Sequence, residues 1–350
     1  MKFCTKLDHF YLDRGLALYS SLRKYHPDAE LHLLALSEQA ADFLESKSLP
    51  RLRVIRLQTL IASEPQLANV RSTRTDAEFA FTLTPFLICE TLKACSNDEL
   101  AIYVDADMLF FGPVTEALEA HQAADVIMSR HNFSDHMKEQ QRYGIYNTGF
   151  TAFRKTSDGG KCAKWWAAQC LAWCHDRLEN GKFADQKYIE QFPNIVPKAV
   201  GLDHPGVNCA PWNASGRRFE HKSGTTLVDK FPLILYHFAK VKRINASCIA
   251  TRKTVQGVKN ARGLNRRVYK PYAKALEDAT SRHGIPEGWV LGGNRARDGV
   301  KHKHLARDGE WHAFRFVAGL IRGDFVSSRI SRCELPYQRQ LNRGTSLKRQ

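Results

Sequence analysis

This sequence predicts an α/β fold, a mostly parallel mixed sheet with helices on both faces. Three observations lead there. Residues 3–7 and 31–36 are short apolar runs, and Leu12, Leu16, Tyr19 and Leu22 recur between them at helical spacing before Pro27. A strand–helix–strand unit of this kind sets its two strands side by side and parallel. The apolar run Ala101-Ile102-Tyr103-Val104 reads as a buried strand and ends in Asp105-Ala106-Asp107. From there, strand and helix patterns keep alternating to residue 281.

The elements follow in order. Residues 52–57 form a third strand, and residues 78–92 a helix that Pro85 either kinks or divides. After the strand leading to Asp105, Gly112-Pro113 marks a turn. A short helix at 114–121 precedes strands at 125–129 and 150–153, a long helix at 162–178 and a shorter one at 184–191. Beyond Pro193 the pattern turns irregular through Gly201, Pro205, Gly206, Pro211 and Gly216. It resumes with a strand at 232–236 and a helix at 264–281, without internal repeats. From residue 283 the chain is rich in Gly and Arg. That gives one domain over 1–282 and a basic extension over 283–350.

At 350 residues, 43% hydrophobic and 25% charged, the composition is that of an ordinary globular protein. No apolar run approaches the ~18 residues that span a bilayer. Residues 1–8 lack the apolar stretch of a signal peptide, so a cytoplasmic location is expected. The nine cysteines then read as reduced thiols, and the sequons at Asn132, Asn213 and Asn245 as accidental. Cys170 and Cys174 share a helical pattern with Trp166 and Trp173 and are expected in the core.

The net charge of +16 is uneven: residues 240–270 hold ten Lys or Arg and no acid. Such a run calls for an anion, whether a nucleotide diphosphate, an acidic acceptor, an anionic membrane surface or nucleic acid. The last 54 residues add twelve basic side chains against five acidic. There Trp311, Phe314, Phe316, Val317, Leu320 and Ile321 with Arg315 and Arg322 fit an amphipathic helix, either on a membrane or packed on the main domain.

The chemistry centres on Asp105 and Asp107. Two carboxylates in a partly dry site repel each other and lose hydration. A hard divalent cation removes that cost. The alternative is a strand exit in which both only accept backbone N–H bonds. Three further landmarks follow: Tyr146-Asn147-Thr148-Gly149-Phe150, Phe183-Ala184-Asp185-Gln186-Lys187 and Tyr236-His237-Phe238. Taken singly, Asn147 could mark a turn before a strand, Asp185 could cap a helix and His237 could be structural.

In that order on an α/β chain, the landmarks resemble the metal-dependent nucleotide-sugar glycosyltransferases of GT-A fold. The likeness is to glycosyltransferase family 8, which includes glycogenin and bacterial lipopolysaccharide sugar transferases, and covers roughly residues 2–272. The resemblance implies Asp105, Asp107 and His237 as ligands of Mn²⁺ or Mg²⁺, with Asp105 also near the ribose. It puts Asn147, Asp185 and Gln186 against the donor sugar, and Arg71 and Arg74 near the nucleotide, although both arginines also fit a solvated loop. The family's phosphate-binding pattern, His-x-x-Gly-x-x-Lys-Pro-Trp, departs here to His237-Phe238-Ala239-Lys240-Val241-Lys242-Arg243. Lys240, Lys242 and Arg243 are left as the cations for the diphosphate. Trp212, in a Gly/Pro-rich loop, could stack on an acceptor sugar or belong to the core.

The implied activity is transfer of a hexose from a UDP-linked sugar to a saccharide or lipid-linked acceptor, in cell-envelope glycan synthesis at the inner membrane face. Retention of configuration fits, since no carboxylate stands out as a general base. A sugar-phosphate nucleotidyltransferase would carry a Gly-rich loop where Leu7-Asp8-His9-Phe10-Tyr11 stands. A phosphohydrolase with Asp105 as nucleophile would want Thr or Val in place of Leu109. A nucleic-acid binder would account for the charge but not for the aspartate pair, so no nucleic acid is expected.

Overall fold

The computed structural model describes residues 1–296 and 323–328. Its first strands and helices are β1 (Lys2–Leu7), α1 (Leu12–Tyr25), β2 (Glu30–Ala35), α2 (Glu38–Ser46) and β3 (Leu52–Arg56). They are followed by α3 (Leu57–Ser63), α4 (Gln66–Arg71), α5 (Asp76–Ala94), β4 (Leu100–Val104), β5 (Met108–Phe110) and α6 (Thr115–Leu118). Then come β6 (Val126–Arg130), β7 (Tyr146–Arg154), α7 (Ser157–Ala172), α8 (Phe192–Ile195) and β8 (Ala199–Leu202). A seven-stranded sheet runs in the order β3-β2-β1-β4-β7-β6-β8. Its pairs are parallel except at β7, which is antiparallel to both β4 and β6. The mostly parallel mixed sheet of the sequence reading is therefore present.

Period-2 alternation divides the sheet between two apolar layers. Phe3, Leu31, Ile102 and Val104 pack with Leu18 and Leu22 of α1. Cys4, Leu34, Tyr103 and Phe153 pack on the other side with Leu83 and Leu87 of α5 and Trp166 of α7. α5 starts at a capping box in which Thr75 accepts from Glu78 N–H and the Glu78 carboxylate accepts from Thr75 N–H. It runs through Pro85 as one helix, so Pro85 does not divide it. Helix α7 lies earlier than the 162–178 expected, because Thr156 caps it by accepting from Gly159 N–H and Trp173 ends it in extended geometry. Cys170 and Cys174 are in the core, as the pattern with the tryptophans implied. Cys248 is disulfide-bonded, which departs from uniformly reduced thiols.

After β8 the described residues add two small antiparallel sheets and a strand that pairs with β5. Strands β9 (Phe219–Lys222), β10 (Thr225–Val228) and β11 (Phe231–Pro232) form an antiparallel sheet, and β12 (Leu235–His237) pairs with β5. Strands β13 (Lys242–Arg243) and β14 (Cys248–Ala250) are joined by β15 (Phe325–Ser327) from the basic extension. A π-helical turn over Asn265–Tyr269 leads into α9 (Lys270–His283), which packs on α1, and α10 (Glu287–Ala296) sets Trp289 against His9 and Phe43. The expected amphipathic segment from Trp311 to Arg322 lies outside the described residues. No helix among the described residues is long and apolar enough to cross a membrane.

Candidate active site

Asp105 and Asp107 occupy the turn between β4 and β5. The backbone there is fixed on three sides: Asp105 N–H donates to Gly149 O (3.1 Å), Met108 N–H to Asp105 O (3.1 Å) and Phe238 N–H to Asp107 O (2.9 Å). Because β12 pairs with β5, His237 comes to lie opposite Met108. Its Nε2 stands 3.2 Å from Asp107 Oδ1 and 3.6 Å from Asp105 Oδ2. Burial opposes a charge on the imidazole, but Asp107 and then Asp105 outweigh it and raise its pKa.

The residues present fit a divalent cation. Their ligand atoms lie within 4.8 Å of one another, two hard carboxylates beside one imidazole. The cradle is kept open by Gly149. A Cβ there would stand 2.6 Å from Asn147 Oδ1, 2.9 Å from His237 Nδ1 and 3.0 Å from Asp105 Oδ2. Any other residue would push into all three landmarks at once.

Asn147 and Gly149 lie inside β7, not before a strand as expected, because β7 begins at Tyr146. Asn147 is almost fully buried. Its Oδ1 accepts from Gly149 N–H (3.0 Å), and its amide nitrogen donates to Gln186 Oε1 (3.0 Å) and meets His131 Nε2 (3.3 Å). Gln186 in turn donates to Tyr143 O (3.0 Å). Burial, reinforced by His237, pushes the His131 pKa down to about 3, so this ring is neutral. Trp212 packs edge-on against His131 and His237, at 5.3 and 5.1 Å between ring centroids, and its buried Nε1 has no hydrogen-bond partner among the described residues.

Asp185 precedes a 3₁₀ turn over Lys187–Gln191 and does not act as a helix cap. Instead its carboxylate is buried and accepts from Thr84 Oγ1 (2.8 Å) and Thr148 Oγ1 (3.3 Å). Burial raises its pKa to about 6 against the opposing charge of Lys6. The preceding Ala184 holds a left-handed φ of +45°, a conformation that costs a non-glycine residue about 1 kcal/mol. Lys6, Tyr103 and Thr84 were not singled out in the sequence. Their signal was a lysine inside the apolar strand Phe3-Cys4-Thr5-Lys6-Leu7 and a tyrosine two residues before Asp105.

The expected cations are placed differently from one another. Arg74 is buried rather than in a solvated loop, donating to Thr82 Oγ1 and to Leu171 O, the latter at 2.6 Å, and so ties α5 to α7. Arg71 pairs with Asp76 and lies over the Phe79 ring at 5.0 Å. Arg243 is buried against Asp13 at 3.6 Å and donates to Ala246 O (2.9 Å). Lys242 is partly buried in β13, whereas Lys240 is exposed.

No family model matches the chain. A curated relative, the "Uncharacterized protein YfnF" of Bacillus subtilis (strain 168), is 29% identical over 245 residues, 68% of this chain and 80% of the relative. A solved structure, the galactosyltransferase LgtC with donor and acceptor sugar analogs, is similar at 16% identity over 83% of this chain and 99% of that one, with a TM-score of 0.44. Mouse xyloside xylosyltransferase 1 is similar at 12% identity over 69% of this chain and 98% of that one, with a TM-score of 0.41.

Proposed function

We propose that this chain is a metal-dependent glycosyltransferase that moves a hexose from a UDP-linked sugar to a saccharide or lipid-linked acceptor in cell-envelope glycan synthesis. The observation that carries this reading is one constellation: the ligand atoms of Asp105, Asp107 and His237 lie within 4.8 Å of one another, Asn147, His237 and Asp105 meet around Gly149, and Asn147 bonds to Gln186 beside Thr148 and Asp185. Asp105, Asp107 and His237 would hold Mn²⁺ or Mg²⁺, whose charge stabilises a departing diphosphate. Asn147 and Gln186 lock each other's amides and so present fixed groups to a sugar. Asp185 is held by two hydroxyls as an oriented acceptor rather than a free base, which supports transfer with retention. The unpartnered Nε1 of Trp212 beside His237 offers a donor to a sugar hydroxyl. Lys240 and Lys242 are the cations proposed for the diphosphate, Lys240 being the exposed one of the two; Arg243 is buried against Asp13, Arg74 bonds to Thr82 and Leu171, and Arg71 pairs with Asp76.

In the same reading the enzyme works at the cytoplasmic face of the membrane, with residues 1–282 as the catalytic domain. The basic residues of 240–270 and 283–350 attach it to anionic lipid, each contributing on the order of 1 kcal/mol. Vesicle co-sedimentation checks this: binding is expected with anionic vesicles only and to weaken as salt rises. Equal sedimentation with zwitterionic vesicles contradicts it.

A donor-hydrolysis screen across UDP-, GDP- and dTDP-sugars tests the function. UDP release with Mn²⁺, abolished by EDTA, is the expected result. No turnover of any donor, or full turnover in EDTA, overturns the reading.

A further inference from the structure

Lys6 lies two residues beyond Cys4, which pairs in register with Tyr103 of β4. Alternation puts it on the α5 face of the sheet, near the carboxyl ends of β1 and β4. Its ammonium makes two hydrogen bonds, to Thr84 Oγ1 and to Tyr103 Oη, both at 2.6 Å. An ammonium is donor-only, so both hydroxyls accept from it, and each must turn its own proton elsewhere. Thr84 donates to Asp185 Oδ2 (2.8 Å) and Tyr103 to Asp105 Oδ1 (2.8 Å). The direction of all four bonds is thereby fixed. The helix offers a contrast. Thr82 and Thr91 of α5 donate to carbonyls four residues back, Glu78 O and Leu87 O, both at 2.8 Å, whereas Thr84 turns to Asp185.

We propose that Lys6 is a positioning residue that orients both carboxylate arms of the site, Asp185 through Thr84 and Asp105 through Tyr103. The arrangement leaves Asp105 Oδ2, the oxygen nearer His237, for the ion, because Oδ1 is committed to Tyr103. A single cation thus sets the geometry of the metal end and the sugar end of the cleft without touching either carboxylate. Burial lowers the pKa of Lys6, and the charges of Asp185 and Asp105 counter only part of that. The groups facing Asp185 are Lys6 from β1, Tyr103 and Asp105 from β4 and the turn after it, and the thiol of Cys170 from α7. Of these, only Lys6 favours its ionised form by charge.

The proposal rests on the glycosyltransferase reading for its kinetic test but not for its titration test. In the metal-loaded full-length chain, Lys6→Met should lower kcat about tenfold while donor KM stays within about threefold. The acid limb of its pH profile should move up by about one unit. Combining Lys6→Met with Thr84→Val should cost no more than the worse single change, because both break one relay. Multiplied losses, unchanged turnover, or a raised donor KM with an unmoved acid limb would each overturn the proposal, the last by making Lys6 a direct donor contact. If no donor is turned over, the functional reading fails, and Lys6 is judged by carboxyl ¹³C titration of aspartate-labelled protein, with Asp185 assigned from Asp185→Asn. Lys6→Met should titrate Asp185 at higher pH than the unmodified chain, and an unmoved titration contradicts the relay. If Lys6→Met does not fold, Thr84→Val serves in the same titration, with a smaller upward shift expected and no shift overturning it.

Discussion

Asp13, at the start of α1, is fully buried and faces two guanidinium groups, Arg14 at 3.3 Å and Arg243 at 3.6 Å. Asp105 and Asp107, at the carboxyl end of β4, share one imidazole between them at 3.6 and 3.2 Å and keep 31% and 17% of their side-chain surface exposed. The first cluster carries its counter-charges within the chain and is sealed. The second sets two carboxylates around one imidazole and leaves part of both carboxylates exposed. Burying charge is tolerated only when it is paired. Partly exposed carboxylates around one imidazole, with a glycine keeping space beside them, form a group that could hold a cation.

Asp107→Asn should break the open cluster and give the largest effect. Turnover should fall on the order of 10²–10³-fold, with a melting temperature unchanged or slightly raised, because the substitution removes one of two repelling carboxylates. Melting curves beside steady-state rates check it, and a large loss of stability would mean that Asp107 supports the fold. Asp13→Asn should do the reverse. It leaves two buried guanidiniums without their carboxylate and should cost about 3–5 kcal/mol of stability in denaturant titrations. A cost below about 1 kcal/mol would show that the sealed cluster is not held by charge.

The sequence made the open cluster legible and hid the sealed one. Asp-x-Asp at a strand end, Asn147 to Gly149, Asp185-Gln186 and His237 each sit in short local patterns, and the structure gathers them as a set. The parallel β1–β2 pair and the helix at 12–25 were readable from periodicity for the same reason. Arg243 was read from its offset to His237, a one-dimensional argument that cannot see Asp13 more than two hundred residues away. Arg74 lay equally hidden, since its partner Leu171 comes from another helix. Lys6 was passed over because its hydroxyl partners lie 78 and 97 residues downstream.

Asp185 sharpens the comparison as a buried acid whose favourable charge among the described residues is Lys6. Its native pKa, raised from 3.8 to about 6, means that the folded state holds this proton more tightly than the unfolded chain does. The stabilising contribution is present below about pH 4 and is lost as pH rises through about 6. Asp185→Asn should therefore gain stability relative to the unmodified chain across that window, by about 3 kcal/mol at most. Denaturation midpoints at pH 4 and pH 7 check it, and a gap that shrinks with rising pH contradicts it. The smallest effect expected is at Ala184. Ala184→Gly relieves the left-handed φ and should stabilise by up to about 1 kcal/mol, less what glycine loses in the unfolded chain. A clear destabilisation in the same assay would mean that the methyl packs more tightly than its backbone strains.

The central claim is that the Asp105–Asp107–His237 cluster takes a divalent cation that a nucleotide diphosphate then shares. Calorimetric titration of UDP into the full-length chain, with Mn²⁺ and with EDTA, tests it most directly. The account expects UDP to bind tightly with Mn²⁺, to bind far more weakly in EDTA, and to show no Mn²⁺ dependence in Asp107→Asn. UDP binding of equal strength in EDTA, or a full Mn²⁺ effect retained in Asp107→Asn, would contradict it.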